Sequence, residues 1–296
     1  METKSGYSYS ITTLSAWIRV TGEDSAHFLQ GQFSNDLKDG FKKCINNWYL
    51  YGLWLDHKGK IIADSTLVKT DVSHQFWIHS NDCLAADICA RLEGFIIADD
   101  VSLSNETEQW ASLVLFGSNI RKLLEESNLK DIYIFNGRRG TKESYEVIYP
   151  RSEEAKVLEI IKDFDRLTSK DLEILRIKAG IPRIPQDGGN TDLPQEIGLG
   201  LDTISFTKGC YVGQEVMARL NSRGRTRRKL CRVKGDGVPP SLPCAVFDLD
   251  AKVGELKSVV AYASGYLGLA LLSVAALEKA SEFSLEAHTT PKLKID

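Results

Sequence analysis

The stretch SFTKGCYVGQEVMARLNSRGRTRRK, residues 205–229, holds the residues best suited to chemistry in this chain. Cys210 sits between Gly209 and Tyr211 and is followed by Gly213, Gln214 and Glu215. A thiol acts as nucleophile or metal ligand when part of it is thiolate at neutral pH. Cationic neighbours and a helix N-terminus favour that state, and apolar burial opposes it. Lys208 precedes the cysteine, VGQEVMARL reads as a helix starting just after it, and a run of arginines follows. Gly209 and Gly213 let backbone approach a ligand closely, while Gln214 and Glu215 add an amide and an acid. No base and no partner cysteine stands nearby in sequence. The residues therefore allow a working thiol, one ligand of a transient cluster or mixed disulfide, or a small residue in a specialised turn.

Other chemistries have less support. The six cysteines (44, 83, 89, 210, 231 and 244) contain no Cys-x-x-Cys, and the five histidines contain no His-Glu-x-x-His, so no permanent metal site is expected. A Walker loop and a Gly-x-Gly-x-x-Gly turn are both missing, so nucleotide cofactors have no sequence support. From Val216 to Gly235 there is no acid, but there are Arg219, Arg223, Arg225, Arg227, Arg228, Lys229, Arg232 and Lys234. Such a field suits nucleic acid, phosphate or a polyglutamate tail, or is simply a solvated basic strand and turn. Aromatic RNA-binding motifs and zinc fingers are absent.

The elements that position these residues belong to a chain of 296 residues, 43% hydrophobic and 26% charged, with formal net charge -3. That length suits about two domains. No stretch approaches the ~20 apolar residues of a membrane span, and the N-terminus has no targeting pattern, so a cytoplasmic protein without a membrane partner is expected. ITTLSAWIRVTG (11–22) reads as one strand, and EDSAHFLQGQFSNDL as a helix. NNWYLYGLWLD and KIIADSTLVKT read as strands joined by HKGK. TSKDLEILRIKAGIP is the clearest helix, capped by Thr168 or Ser169 and ended by Gly180 and Pro182. A stretch of near thirty residues without periodicity then leads to Cys210. Beyond Arg228, short strands at regular spacing predict a small β-barrel. The expected architecture is α+β: a body over 1–228 of two interleaved subdomains, and a β-barrel over 229–296.

Taken together, RVTGEDSAHFLQGQFSNDL, DHKGKIIAD, RIKAGIPRI, LPQEIGL and above all FTKGCYVGQEVMAR resemble, in order and spacing, the YgfZ-type folate-binding proteins. These are relatives of the glycine-cleavage aminomethyltransferase (T-protein), linked to iron–sulfur cluster assembly and to tRNA modification. The resemblance covers roughly residues 11–275. It implies a cloverleaf-like body with a central cavity closed by the barrel, tetrahydrofolate or a derivative in that cavity, and Cys210 presented beside it as a functional thiol. Its implied partners are iron–sulfur enzymes such as the radical tRNA methylthiotransferases.

The resemblance places Trp17 against the folate, puts Leu172 where the family has a second tryptophan, and puts Lys178 at the glutamate that holds the pterin. A lysine offers donors where a carboxylate accepts. Gln195 and Glu196 line the cavity or pin the loop, Arg219 takes a salt bridge or the folate tail, and Lys208, Gln214 and Glu215 complete the expected folate surroundings. Of the Asp-Asp pair that supplies the transferase acid, only Asp64 of Ala63-Asp64 remains, which disfavours aminomethyl transfer. Two alternatives stay open: a folate-dependent one-carbon transferase, and an RNA-binding adaptor working through the 219–234 cluster, with contacts from Arg223, Arg225, Arg227 and Arg228.

Overall fold

The computed structural model describes residues 6–45, 47–117, 119–127, 129, 131–140, 143–290 and 292–296, and of Arg223 the backbone only. Three sheets organise the described residues. A six-stranded sheet has the order Lys42–Lys43, Trp48–Leu55, Ile61–Lys69, Gln75–Ser80, Ala16–Thr21, Ser102–Asn105. A five-stranded sheet has the order Asp165–Arg166, Ser8–Thr12, Trp110–Phe116, Ser144–Pro150, Tyr133–Asn136. In the second six-stranded sheet the order is Cys244–Asp248, Ala251–Tyr262, Gly265–Ser273, Arg228–Asp236, Leu293–Ile295, Glu282–Phe283. A bridge between Phe247 and Ser284 joins its outer edges, so this sheet nearly closes into a barrel. The α+β body with a C-terminal barrel expected from the sequence is present.

One strand expectation needs correcting. ITTLSAWIRVTG is not one strand: Ser8–Thr12 lies in the five-stranded sheet and Ala16–Thr21 in the first six-stranded one. The chain crosses between them at Leu14-Ser15, where the Ser15 hydroxyl donates to the Asn81 carbonyl at 2.7 Å and the Ser15 carbonyl accepts from the Ala85 amide. β-branched and aromatic residues report strand propensity but not the sheet a strand joins.

The motif segments pack on one another. Asp56 Oδ1 accepts from the amides of Lys58 and Lys60, an Asx-type turn that links the strands Trp48–Leu55 and Ile61–Lys69. The helix Gln214–Arg223 begins at Gly213, φ +87°, where a Cβ would lie 2.7 Å from the Asp56 carbonyl oxygen and 3.3 Å from the Gly59 Cα. DHKGK and GCYVGQE are therefore the two sides of one close contact.

The helix Ser169–Lys178 starts with a capping box between Thr168 and Asp171, which satisfies two otherwise unbonded donors. Its far end docks on the barrel. Ile177 packs with Val260, Leu267 and Leu269, and buried Arg176 bonds Glu173, Asp187 and Ser258.

Candidate functional site

The central cavity forms where the first six-stranded sheet faces the five-stranded one. The register pairs Leu53 with Asp64, Tyr51 with Thr66, Thr66 with His79 and His79 with Trp17. Directly opposed residues share a sheet face, so Tyr51, Asp64, Thr66, His79 and Trp17 form a row across it. The opposite wall comes from Phe135, Glu146 and the turn Gly137-Arg138-Arg139, with Ile181, Pro182 and Arg183 from the start of the long loop.

The innermost chamber, about 50 Å³, is lined by Tyr51, Asp64, Thr66, Asn81 and these wall residues. That is room for a few waters, at ~10–15 Å³ for one, and it opens beside larger hollows. Hollows of about 230 Å³ and 190 Å³ flank it. The first shares Asn81, Asp82, Arg139, Arg176 and Arg183 with the inner chamber, and the second shares Tyr51, Asn136, Gly137 and Arg138. The three adjoin one another through these shared walls and together form the channel region.

Asp64 lines the inner chamber. Its Oδ2 accepts from the Tyr51 hydroxyl at 2.7 Å and its Oδ1 from the Cys83 thiol at 3.4 Å. Burial raises the Asp64 pKa, while these two hydrogen bonds act the other way. Tyr51 is pushed well above the usual phenol range, first by burial and then by the Asp64 charge. Cys83 is also raised, chiefly by burial, so both remain donors to the carboxylate. A carboxylate has about four acceptor positions, and these partners occupy one on each oxygen.

The guanidiniums around it are committed to acids. Arg138 bonds Asp202 at 2.6 Å and lies over the Tyr51 ring. Arg139 bonds buried Glu146 and the Asn81 side chain. Arg183 pairs with Glu173 at 2.9 Å and Asp82 at 3.3 Å.

Of the expected site residues, Leu172 is the one that lines this channel. Trp17 lies in the right row but is fully buried, stacked on Trp77 at 4.8 Å and surrounded by Trp110 and Tyr133. It supports the closed end of the sheet face and offers no surface to a ligand. Leu172 lines the 230 Å³ hollow. Lys178 does not face the channel: its Nζ donates to the Tyr262 hydroxyl at 2.7 Å and sits 4.0 Å over that ring, tying the helix to the barrel. Glu196 does not line the channel either. It bonds the Leu193 amide and Arg228 and pins the loop to the barrel's first strand. Gln195 contacts Met217 Sδ and borders a separate cleft.

Around Cys210 the loop is held from beneath. Lys208 Nζ donates to the carbonyls of Gln30, Phe33 and Asn35 at 2.6, 2.8 and 2.9 Å. Burial lowers its pKa to about 8, while the three carbonyls favour the ammonium, which alone has three N–H donors. This lysine caps the end of the helix Ser25–Gln32, where a cation suits the helix dipole. Because Lys208 is buried in this cage, it offers its charge neither to the thiol nor to folate. Gln214 Nε2 donates to the Lys208 carbonyl and Tyr211 is buried. Cys210 itself is exposed and is not among the residues lining the channel. Glu215 is exposed in the first helical turn, and Arg219 is exposed with no ion pair among the described residues.

Sequence reasoning missed Tyr51, Asn81, Asp82, Cys83, Arg138, Arg139 and Glu146. The signal available was the Gly-Arg-Arg-Gly turn at 137–140 between two strands.

Comparison with known proteins agrees with this architecture. Residues 12–151 match the GCVT N-terminal domain family. Proteins described as tRNA-modifying protein YgfZ from Escherichia coli and from Shigella boydii are each 28% identical over 263 residues, covering 83% of this chain and 77% of theirs. The glycine cleavage system aminomethyltransferase T of Bartonella henselae superposes with a TM-score of 0.80 at 17% identity, over 98% of this chain and 85% of that one. The chain thus resembles the YgfZ proteins over most of its length and has the fold of the glycine-cleavage aminomethyltransferase T.

Proposed function

We propose that this protein is a folate-binding accessory factor in tRNA modification, with its folate in the central channel and Cys210 as a separate, functional thiol. The observation that carries the folate reading is Asp64. It is half-buried in the inner chamber, hydrogen-bonded once on each oxygen, with acceptor capacity left over. A pterin presents a ring N–H and an exocyclic amine, a donor pair that a carboxylate accepts. Asp64 thus takes the part that the resemblance assigned to a glutamate at position 178. Phe135 provides an apolar wall, and Arg138 and Arg183 stand where the inner chamber meets the flanking hollows. When bound, a reduced folate supplies one-carbon chemistry; this chain's residues orient it and hold a proton acceptor near it.

The thiol reading rests on display. Lys208 and Gln214 fix the loop below Cys210, which leaves an exposed sulfur on a braced support for an iron–sulfur client such as a radical tRNA methylthiotransferase. The test is tRNA methylthiolation in a strain lacking the gene. Wild type restores it and Cys210→Ala at equal protein level does not; full rescue by that variant removes the thiol role. A second reading, a folate-dependent one-carbon transferase, is favoured by Asp64 itself, an acid in the channel whose pKa burial raises. Transfer of labelled formaldehyde-level carbon from folate to an amine acceptor, abolished in Asp64→Asn, would establish that activity.

A further inference from the structure

A second concavity lies away from the channel, between the loop leading to Cys210 and the end of the helix Gln214–Arg223. It is a cleft of about 290 Å³, with Leu201, Phe206 and Leu220 for walls and Gln195, Asn221 and Arg225 at its edges. Leu201 is 93% exposed, a cost in solvated apolar surface that singly suggests little but here forms the lip of a cleft. Gln195 turns its Nε2 to Met217, and its Oε1 is shielded from solvent without a hydrogen-bond partner among the described residues. An acceptor left unpaired beside an apolar cleft is a feature that asks for a donor.

The charge around the cleft has a direction. Arg225, Arg227 and Lys229 are exposed, while the residues between them turn inward: Thr226 lines the cleft, Arg228 pairs with Glu196 and Asp192, and Leu230 packs on the core. This alternation sends a row of cations outward from the cleft. Arg225, Arg227 and Lys229 carry no ion pair among the described residues, whereas Arg228, Arg232 and Lys234 are neutralised by Asp192, Glu196 and Asp296. Of the arginines expected to meet RNA, Arg228 is therefore unavailable, and the Arg223 side chain lies outside the described residues.

We infer that the cleft takes one base of a single-stranded RNA, with the flanking phosphates lying along Arg225, Arg227 and Lys229. A base has a planar apolar face for Leu201 and Phe206, and amine or ring N–H donors for the Gln195 Oε1. Such pairing of stacking surface with a cationic track is how single strands are bound. A free nucleotide shares this chemistry, but the cations continue past the cleft beyond the reach of one phosphate group, which favours a chain.

The test is fluorescence anisotropy of a labelled single-stranded 12-mer RNA titrated with the folate-free protein, so the result does not depend on the channel. Three phosphate contacts give a slope of log K against log salt of about -2, at about -0.7 each. Arg225→Gln/Arg227→Gln weakens binding about tenfold and lowers that slope by about 1.4. Leu201→Ser, a change at an exposed side chain that leaves the fold intact, weakens binding about tenfold with the slope unchanged. No RNA binding, an unaltered slope in the double variant, or equal affinity of Leu201→Ser and wild type each overturns the proposal. Displacement of the 12-mer by AMP or GMP at matching nucleotide concentration overturns the choice of a chain over a free nucleotide.

Discussion

Replacing Lys208 by methionine separates a bracing role from a chemical one. Methionine keeps the length and apolar stem of the side chain but removes the ammonium that holds the carbonyls of Gln30, Phe33 and Asn35. A hydrogen bond contributes a net ~1–1.5 kcal/mol to stability, so three give ~3–4.5 kcal/mol. Gln30 and Asn35 are half-buried, and water reaching their carbonyls recovers part of this, leaving ~2–3 kcal/mol. For a body of this size each kcal/mol moves the melting temperature by ~2–4 °C, so calorimetry of Lys208→Met should show a fall of ~5–10 °C. Thiol titration of Cys210 with a chromogenic disulfide should be little changed once folded protein is compared at low temperature. A fall of under ~2 °C together with a marked change in Cys210 reactivity would refute this account and return Lys208 to the role of thiol activator.

Two further outcomes follow from buried groups. His79 is buried without a partner on Nε2, and burial lowers its pKa from 6.5 to about 3. The unfolded chain therefore binds a proton that the folded one refuses; this contribution to stability is intact above pH 6.5 and falls as pH drops toward 3, by ~2.7 kcal/mol at a pH of about 4.5. Denaturant midpoints measured across that window should fall in wild type and flatten in His79→Phe; parallel profiles would contradict the neutral buried imidazole. Gly213→Ala places a methyl 2.7 Å from the Asp56 carbonyl oxygen at a positive φ and should cost ~2 kcal/mol or more; a melting temperature within 1–2 °C of wild type, on the scale of ~2–4 °C per kcal/mol, would show that the contact between the two motifs is not tight.

What the sequence reveals depends on how local the cause is. The Thr168 capping box, the DHKGK turn and the helix after Gly213 are legible because their causes lie within a few residues. The strand split at Leu14-Ser15 and the sheet order are not, because pairing partners stand tens of residues away. Lys208 and Lys178 show the same limit at the site. Near neighbours in sequence suggest a thiol activator and a pterin contact, but their partners are carbonyls at positions 30–35 and Tyr262. Trp17 is in the expected row and yet sealed, because alternation along a strand fixes which face a side chain takes and not what covers that face. The channel walls at Arg138, Arg139 and Glu146 come from a strand pair whose significance appears only when the two sheets are brought face to face.

The central claim is that Asp64 and its channel hold the folate. Anaerobic calorimetric titration of 5-formyltetrahydrofolate into wild type, Asp64→Asn and Lys178→Glu tests it most directly. The account predicts binding by wild type, at least a tenfold loss in Asp64→Asn from one charge-assisted bond of ~1.5 kcal/mol, and unchanged affinity in Lys178→Glu, because that side chain points at Tyr262. Equal binding by Asp64→Asn, or binding gained only in Lys178→Glu, would contradict it.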